Sequence, residues 1–249
     1  MKKGFFDRVY WIIDNSDVLI EVVDARFPEK TRNKIIEKQV KAKGKQLIVA
    51  LNKSDLVSKN NALKTKKELS KEFPCAFISS TQKKGIMKLK KLVLIKTKNK
   101  GNVVGVIGYP NTGKSSVINA LSRKKMRVSI TAGLTRGQQI VNAGKFKLID
   151  SPGIIPFEER NENELVLIGA KNPSKLEYPE DAAIKLIEFL KEKNPKELLR
   201  LGAKELNDSE KILEEIALKK KRLMKGGIPD LNAVSKQLLL DWQKGKIRA

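Results

Sequence analysis

One stretch, Gly108-Tyr109-Pro110-Asn111-Thr112-Gly113-Lys114-Ser115-Ser116, narrows what this chain can fold into more than any other. Its spacing is Gly, four residues, then Gly-Lys-Ser. It follows Val103-Val104-Gly105-Val106-Ile107, an apolar run suited to a buried strand, and Val117 to Leu121 can continue as helix. A glycine-rich turn between strand and helix wraps backbone N–H groups around a phosphate, aims a helix N-terminus at it and supplies a lysine ammonium. Asn111, Thr112, Gly113, Lys114, Ser115 and Ser116 are therefore the expected phosphate-binding residues, with the Ser115 hydroxyl on Mg²⁺.

Before this loop, apolar runs alternate with amphipathic ones. Residues 5 to 16 read as a helix with Phe5, Val9, Ile12 and Ile13 on one face, and Val18 to Val23 as a strand ending in Asp24-Ala25-Arg26-Phe27-Pro28. A helix is expected from Thr31 to Lys43, a strand over Gln46 to Leu51, a helix from Ala62 to Lys71 and a strand over Cys75 to Ile78. Such alternation gives a parallel sheet with helices on both faces.

The second strand delivers Asn52-Lys53-Ser54-Asp55. Asn-Lys-x-Asp at a strand end reads guanine: the carboxylate accepts from both the ring N–H and the exocyclic amine, a donor pair that adenine lacks. A stranded buried charge then penalises ATP. Asn52 would tie loops together, the Lys53 stem would cover the base, and Ser79-Ser80 would offer the Ser80 N–H to the guanine carbonyl.

In Ras-like GTPases the phosphate loop comes first and the base-reading motif last, whereas here Asp55 precedes Gly108. A circularly permuted domain accounts for this order, with residues 83 to 102 as the new connection. The remaining motifs must then follow the loop. Thr131-Ala132-Gly133-Leu134-Thr135 stands where the first switch belongs; Thr135 matches the pattern of a second Mg²⁺ hydroxyl, and Thr131 is the alternative. After the strand Phe146 to Ile149, Asp150-Ser151-Pro152-Gly153 would orient Mg²⁺ through Asp150 and meet the γ-phosphate with the Gly153 N–H.

On these motifs the chain resembles the YlqF/YawG group of circularly permuted GTPases over residues 18 to 156, with Asp24 to Pro28 and Gly133-Leu134-Thr135 part of the match. The resemblance implies GTP hydrolysed to GDP during assembly of the large ribosomal subunit, with rRNA or a subunit precursor as partner. Lys114, Thr135 and Gly153 would act on the γ-phosphate. It also implies that Asn111 holds K⁺ in place of an arginine finger, the plainer alternative being that it shapes the turn. Some members use a histidine near the N-terminus, and this chain has no histidine. Ile154 stands where many GTPases carry a water-orienting glutamine, so intrinsic turnover is expected to be slow.

Charge points to a polyanion: 52 Lys plus Arg face 28 Asp plus Glu, a net of +24. An AT-rich genome that favours Lys codons, or thermophilic Lys enrichment, would raise the total, yet the cations cluster, with no acid from Thr81 to Asn102 and a run Lys219-Lys220-Lys221-Arg222. Aromatics are 5%, so backbone contact to structured RNA fits better than base stacking. Beyond Pro156 helical periodicity replaces strands over 180–193, 195–206 and 208–225, with Leu223 facing inward, and after Pro229. The expected organisation is a permuted α/β GTPase domain over 1–170 and a small all-helical RNA-docking domain over 171–249. One cysteine excludes an internal disulfide, and the N-terminal apolar residues are broken by Asp7, Arg8 and Asp14, so no signal or membrane span is expected. A cytoplasmic protein, monomeric off the ribosome, is the expectation. The alternative is a GTP-gated switch with little turnover acting on another RNA.

Overall fold

The computed structural model describes residues 3–97, 103–122, 140–151, 153 and 161–249. Two compact units divide the chain at Glu158/Glu159. The first runs α1 (Lys3–Asp14), β1 (Val18–Asp24), α2 (Pro28–Thr31), α3 (Lys34–Ala42), β2 (Gln46–Asn52), α4 (Lys59–Leu69), β3 (Cys75–Phe77), α5 (Ile86–Lys96), β4 (Val103–Ile107), α6 (Lys114–Leu121), β5 (Ile140–Asn142) and β6 (Lys147–Asp150). Its sheet has the order β3-β2-β1-β4-β6-β5. All neighbours are parallel except β5, which pairs antiparallel with β6.

Parallel strands covered on both faces must be apolar throughout, and β1 and β2 are buried along nearly their whole length. Val18, Ile20 and Val22 face a core shared with α5 and α6, while Leu19 faces Val9, Ile12 and Ile13 of α1 and Ile36 and Val40 of α3. Strand order reverses between β1 and β4. Carboxyl ends of parallel strands open a crevice at such a reversal.

The helix expected over 31–43 forms as α3 from Lys34, after the short α2 has ended at Thr31. Thr31 turns its hydroxyl back onto the Phe27 carbonyl (2.8 Å), Arg32 is extended (ψ 140°), and Asn33 caps a new start by accepting from the Ile36 N–H. The segment 83–102, expected as a connection, contains α5, whose Ile86, Leu89 and Val93 are buried. Lysines on its exposed positions obscure that spacing in the sequence.

The second unit holds α7 (Glu162–Leu167), α8 (Pro179–Lys193), α9 (Pro195–Leu201), α10 (Ser209–Lys219) and α11 (Leu231–Gln243). Because α7 packs with α8 and α11, the boundary falls before the expected position of 170. Trp242 centres this unit: fully buried, it donates Nε1–H to the Leu167 carbonyl (2.8 Å) and meets Phe189 edge-on at 5.8 Å. The helix expected over 208–225 stops at Lys219; Lys221 is left-handed (φ 53°) and Leu223 bridges to Pro229, so Leu223 is exposed rather than inward. Among the described residues no helix is long and apolar enough to cross a membrane.

Candidate functional site

Five strand ends bring the sequence motifs of the first unit to one edge of the sheet. β1 ends at Asp24, β2 at Asn52, β3 leads to Ser79 and Ser80, β4 to Gly108 and β6 to Asp150. Asp24 and Asn52 are register partners, and β1 lies between the base-motif strand β2 and the phosphate-loop strand β4.

The loop from Gly108 to Gly113 depends on three positive φ values, 142° at Gly108, 58° at Asn111 and 97° at Gly113. A Cβ on Gly108 would stand 2.4 Å from the Val22 carbonyl, so glycine lets the loop pack on β1. Thr112 is buried and donates its hydroxyl to the Tyr109 carbonyl (3.0 Å). Lys114 folds over the loop, donating to the carbonyls of Gly108 (3.0 Å) and Tyr109 (2.7 Å). Burial pushes its ammonium down to about 8, against the attraction of Asp150. A lysine so poorly solvated gains strongly from an anionic ligand.

Asn52 joins the two halves of the crevice. Its Nδ2 donates to the Thr112 carbonyl at 2.9 Å and its Oδ1 accepts from the Ser80 N–H at 3.0 Å. Gly113 is again the only fit, since a Cβ there would lie 2.3 Å from Asn52 Nδ2. Asp55 lies in the middle of a short 3₁₀ turn, Ser54–Leu56, and accepts from Gln82 Nε2 at 3.3 Å. Ser79 Oγ pairs with Thr81 and accepts from the Gln82 N–H, shaping the loop that presents Ser80.

Opposite Lys114, Ser115 donates to Asp150 Oδ2 at 3.4 Å. Asp150 Oδ1 is buried with no hydrogen-bond partner among the described residues, and burial raises the carboxyl's pKa despite Lys114 and Ser115. An orphaned carboxylate oxygen beside a hydroxyl is a donor set suited to a hard cation such as Mg²⁺. Gly153 packs on the phosphate loop: a Cβ would meet Pro110 Cα at 2.8 Å. Ser116 follows Ser115 in the first turn of α6, both partly exposed. Thr135, its alternative Thr131, and Ile154 lie outside the described residues.

Sequence reasoning gave no role to Asp24 and Arg26. Asp24 is fully buried, clasped by Arg26 through Nε (3.0 Å) and Nη2 (2.8 Å), and its Oδ2 also takes Lys53 Nζ at 2.7 Å. Burial would raise the carboxyl, but the two cations hold it well below the usual carboxylate range. The usable signal was Asp-x-Arg at the end of the strand beside the base motif.

The family model described as RsgA GTPase matches residues 6–159, and that described as 50S ribosome-binding GTPase matches 103–224. An uncharacterised GTP-binding protein of Methanocaldococcus jannaschii is 39% identical over 95% of this chain and 64% of its own length. Nucleolar GTP-binding protein 2 of Saccharomyces cerevisiae is 38% identical over 98% of this chain and 52% of its own. The chain thus spans about half to two thirds of the relatives it matches. In fold it is similar to GNP-bound YlqF from T. maritima, with a TM-score of 0.67 at 22% identity over 98% of this chain and 95% of that one. With the base-reading strand preceding the phosphate loop, a permuted motif order, and a family model covering most of the first unit, the chain belongs to the RsgA GTPase family.

Proposed function

We propose that this chain hydrolyses GTP to GDP and that the nucleotide it holds sets its affinity for the rRNA of a maturing large ribosomal subunit. The observation that carries the nucleotide reading is Asn52, one side chain bonded to both the phosphate loop and the Ser80 loop, which makes a single crevice of base and phosphate motifs. Asp55 would accept from guanine, the Lys53 stem would lie along the base, and the Ser79–Ser80 loop would border its carbonyl edge, although the Ser80 N–H expected to meet that carbonyl is already given to Asn52 Oδ1. The N–H groups of Asn111 to Ser116 and the Lys114 ammonium take the phosphates.

Ser115, Asp150 and Thr135 would hold Mg²⁺, which supplies charge neutralisation at the phosphate oxygens. Lys114 and the Gly153 N–H stabilise the charge that grows there as the γ-phosphoryl group leaves. Isoleucine at 154 offers the attacking water no hydrogen bond. Intrinsic turnover would therefore be slow; Asn111 would hold K⁺, which would supply positive charge beside the phosphates, and the bound particle would stimulate hydrolysis.

The ribosomal half draws on the 50S ribosome-binding description, the nucleolar relatives and the surface of the second unit. There a turn fixed by Met224 N–H to Ile228 O and Asp230 N–H to Arg222 O exposes Leu223, Met224 and Ile228 beside Lys221, Arg222 and Lys225. These three cations make no ion pair among the described residues. Phosphates would meet the cations and a base or ribose face the apolar tips. Co-sedimentation with large-subunit precursors, using a non-hydrolysable GTP analogue and GDP, tests the proposal. We expect tighter binding in one nucleotide state and particle-stimulated hydrolysis; equal binding in both states with no stimulation would overturn it.

A further inference from the structure

Lys53 is held in a conformation that most lysines avoid. Its φ of 60° lies in the left-handed region, and it sits between the buried end of β2 and the 3₁₀ turn that presents Asp55. Such backbone is disfavoured in a non-glycine residue. From this position its side chain reaches Asp24, whose Oδ2 receives Lys53 Nζ.

Neutralising Asp24 does not require Lys53. Arg26 already clasps both carboxylate oxygens and adds its backbone N–H to Oδ1 at 3.0 Å. The Asp24 N–H is taken by Thr31 Oγ1 at 3.0 Å, so the whole turn from Asp24 to Thr31 is locked. Of the two cations, Arg26 has no exposed side-chain surface whereas Lys53 retains 19%. The order of action is therefore Arg26 on Asp24, and Asp24 on the lysine at the crevice.

We infer that Asp24 is a positioning residue for base recognition, anchoring the Lys53 ammonium so that its four-carbon stem is laid out as a platform under the purine. The inference rests on the guanine-nucleotide reading above. Untethered, a lysine stem samples many rotamers and leaves the base face to water. The anchored stem acts on the base, which is unchanged between bound substrate and transition state, so losing it weakens binding without slowing chemistry.

Titration calorimetry with GDP and with inorganic tripolyphosphate, which engages the phosphate loop alone, tests this on the full chain. Asp24→Asn should weaken GDP about tenfold, leave tripolyphosphate within twofold of the unmodified protein, and raise KM for GTP with kcat unchanged. Lys53→Met should give the same pattern, and adding Asp24→Asn to it should cost nothing further. Should Asp24→Asn fail to fold with Arg26 stranded, Asp24→Asn/Arg26→Gln removes both buried charges and should show the same tenfold loss. Equal weakening of both ligands, or a full Asp24→Asn effect in the Lys53→Met background, would overturn the inference by showing a merely structural role. Unmodified protein that bound tripolyphosphate but not GDP would instead overturn the nucleotide reading itself.

Discussion

Replacing Asn52 should separate the crevice into its two halves. The Asn52 side chain is almost fully buried, and its two bonds, 2.9 Å to the Thr112 carbonyl and 3.0 Å from the Ser80 N–H, join β2 to both loops. In Asn52→Ala both backbone groups lose their partner. Each stranded group costs about 1–3 kcal/mol where water cannot replace the bond. Thr112 is fully buried and Ser80 only partly, so the carbonyl should bear most of a total near 2–4 kcal/mol. Asn52→Asp sharpens the argument: the shape is kept and the Ser80 N–H still has an acceptor, but two oxygens now face each other at Thr112. Asp should therefore be no milder than Ala, although it preserves one bond. The assay is urea unfolding of each variant with and without saturating GDP. Apo stability should fall by about 2–4 kcal/mol, and the increment supplied by GDP should shrink as well, because the loops are no longer held for the ligand. A loss below about 0.5 kcal/mol, the range of ordinary surface substitutions, would refute the reasoning.

Three further outcomes are expected. Asp55→Asn exchanges a double acceptor for an amide that suits xanthine, so competition binding should show preference moving from GTP to XTP; unchanged GTP affinity would remove Asp55 from base recognition. Hydrolysis should rise when K⁺ replaces Na⁺ at constant ionic strength and Asn111→Ala should abolish the difference, equal rates in both salts removing K⁺ from the mechanism. Glu21 is fully buried on β1, accepting the Asn33 N–H at 2.7 Å, and burial together with the nearby Glu37 carboxylate raises its pKa well above the usual value. The folded state thus binds the proton more tightly than the unfolded chain, so this stabilisation is full below a pH of about 4.5 and is lost as pH rises towards the folded value. Glu21→Gln, a mimic of the protonated form, should flatten that decline in urea titrations at pH 5 and pH 8; an unaltered slope would show that Glu21 does not hold the proton.

Much of the site was legible because its chemistry is local. The strand-loop-helix around Gly108 to Ser116 needs glycines, a lysine and a hydroxyl at fixed spacing, and Asn52 to Asp55 needs its residues consecutively at a strand end. The order of these motifs was enough to read a permuted fold, since a strand order tolerates new chain ends but not a missing motif. Local pattern misled where polar residues overlay a buried face. The lysines of α5 hid Ile86, Leu89 and Val93, and the periodicity through 208–225 ran past the left-handed turn at Lys221 that exposes Leu223.

What only the tertiary structure decided are the contacts between distant segments. The register that sets Asp24 beside Asn52 follows from β1 pairing with β2. The Asn52 bond to Thr112 spans 60 residues, and the Asp24 bond to Lys53 spans 29. A sequence specifies such pairs only through the sheet that carries them, because hydrogen bonds between side chains and remote backbone have no periodicity to read. The charge on Lys53, Arg26 and Asp24 was written in the sequence; that the two cations share the one buried Asp24 carboxylate was decided by packing.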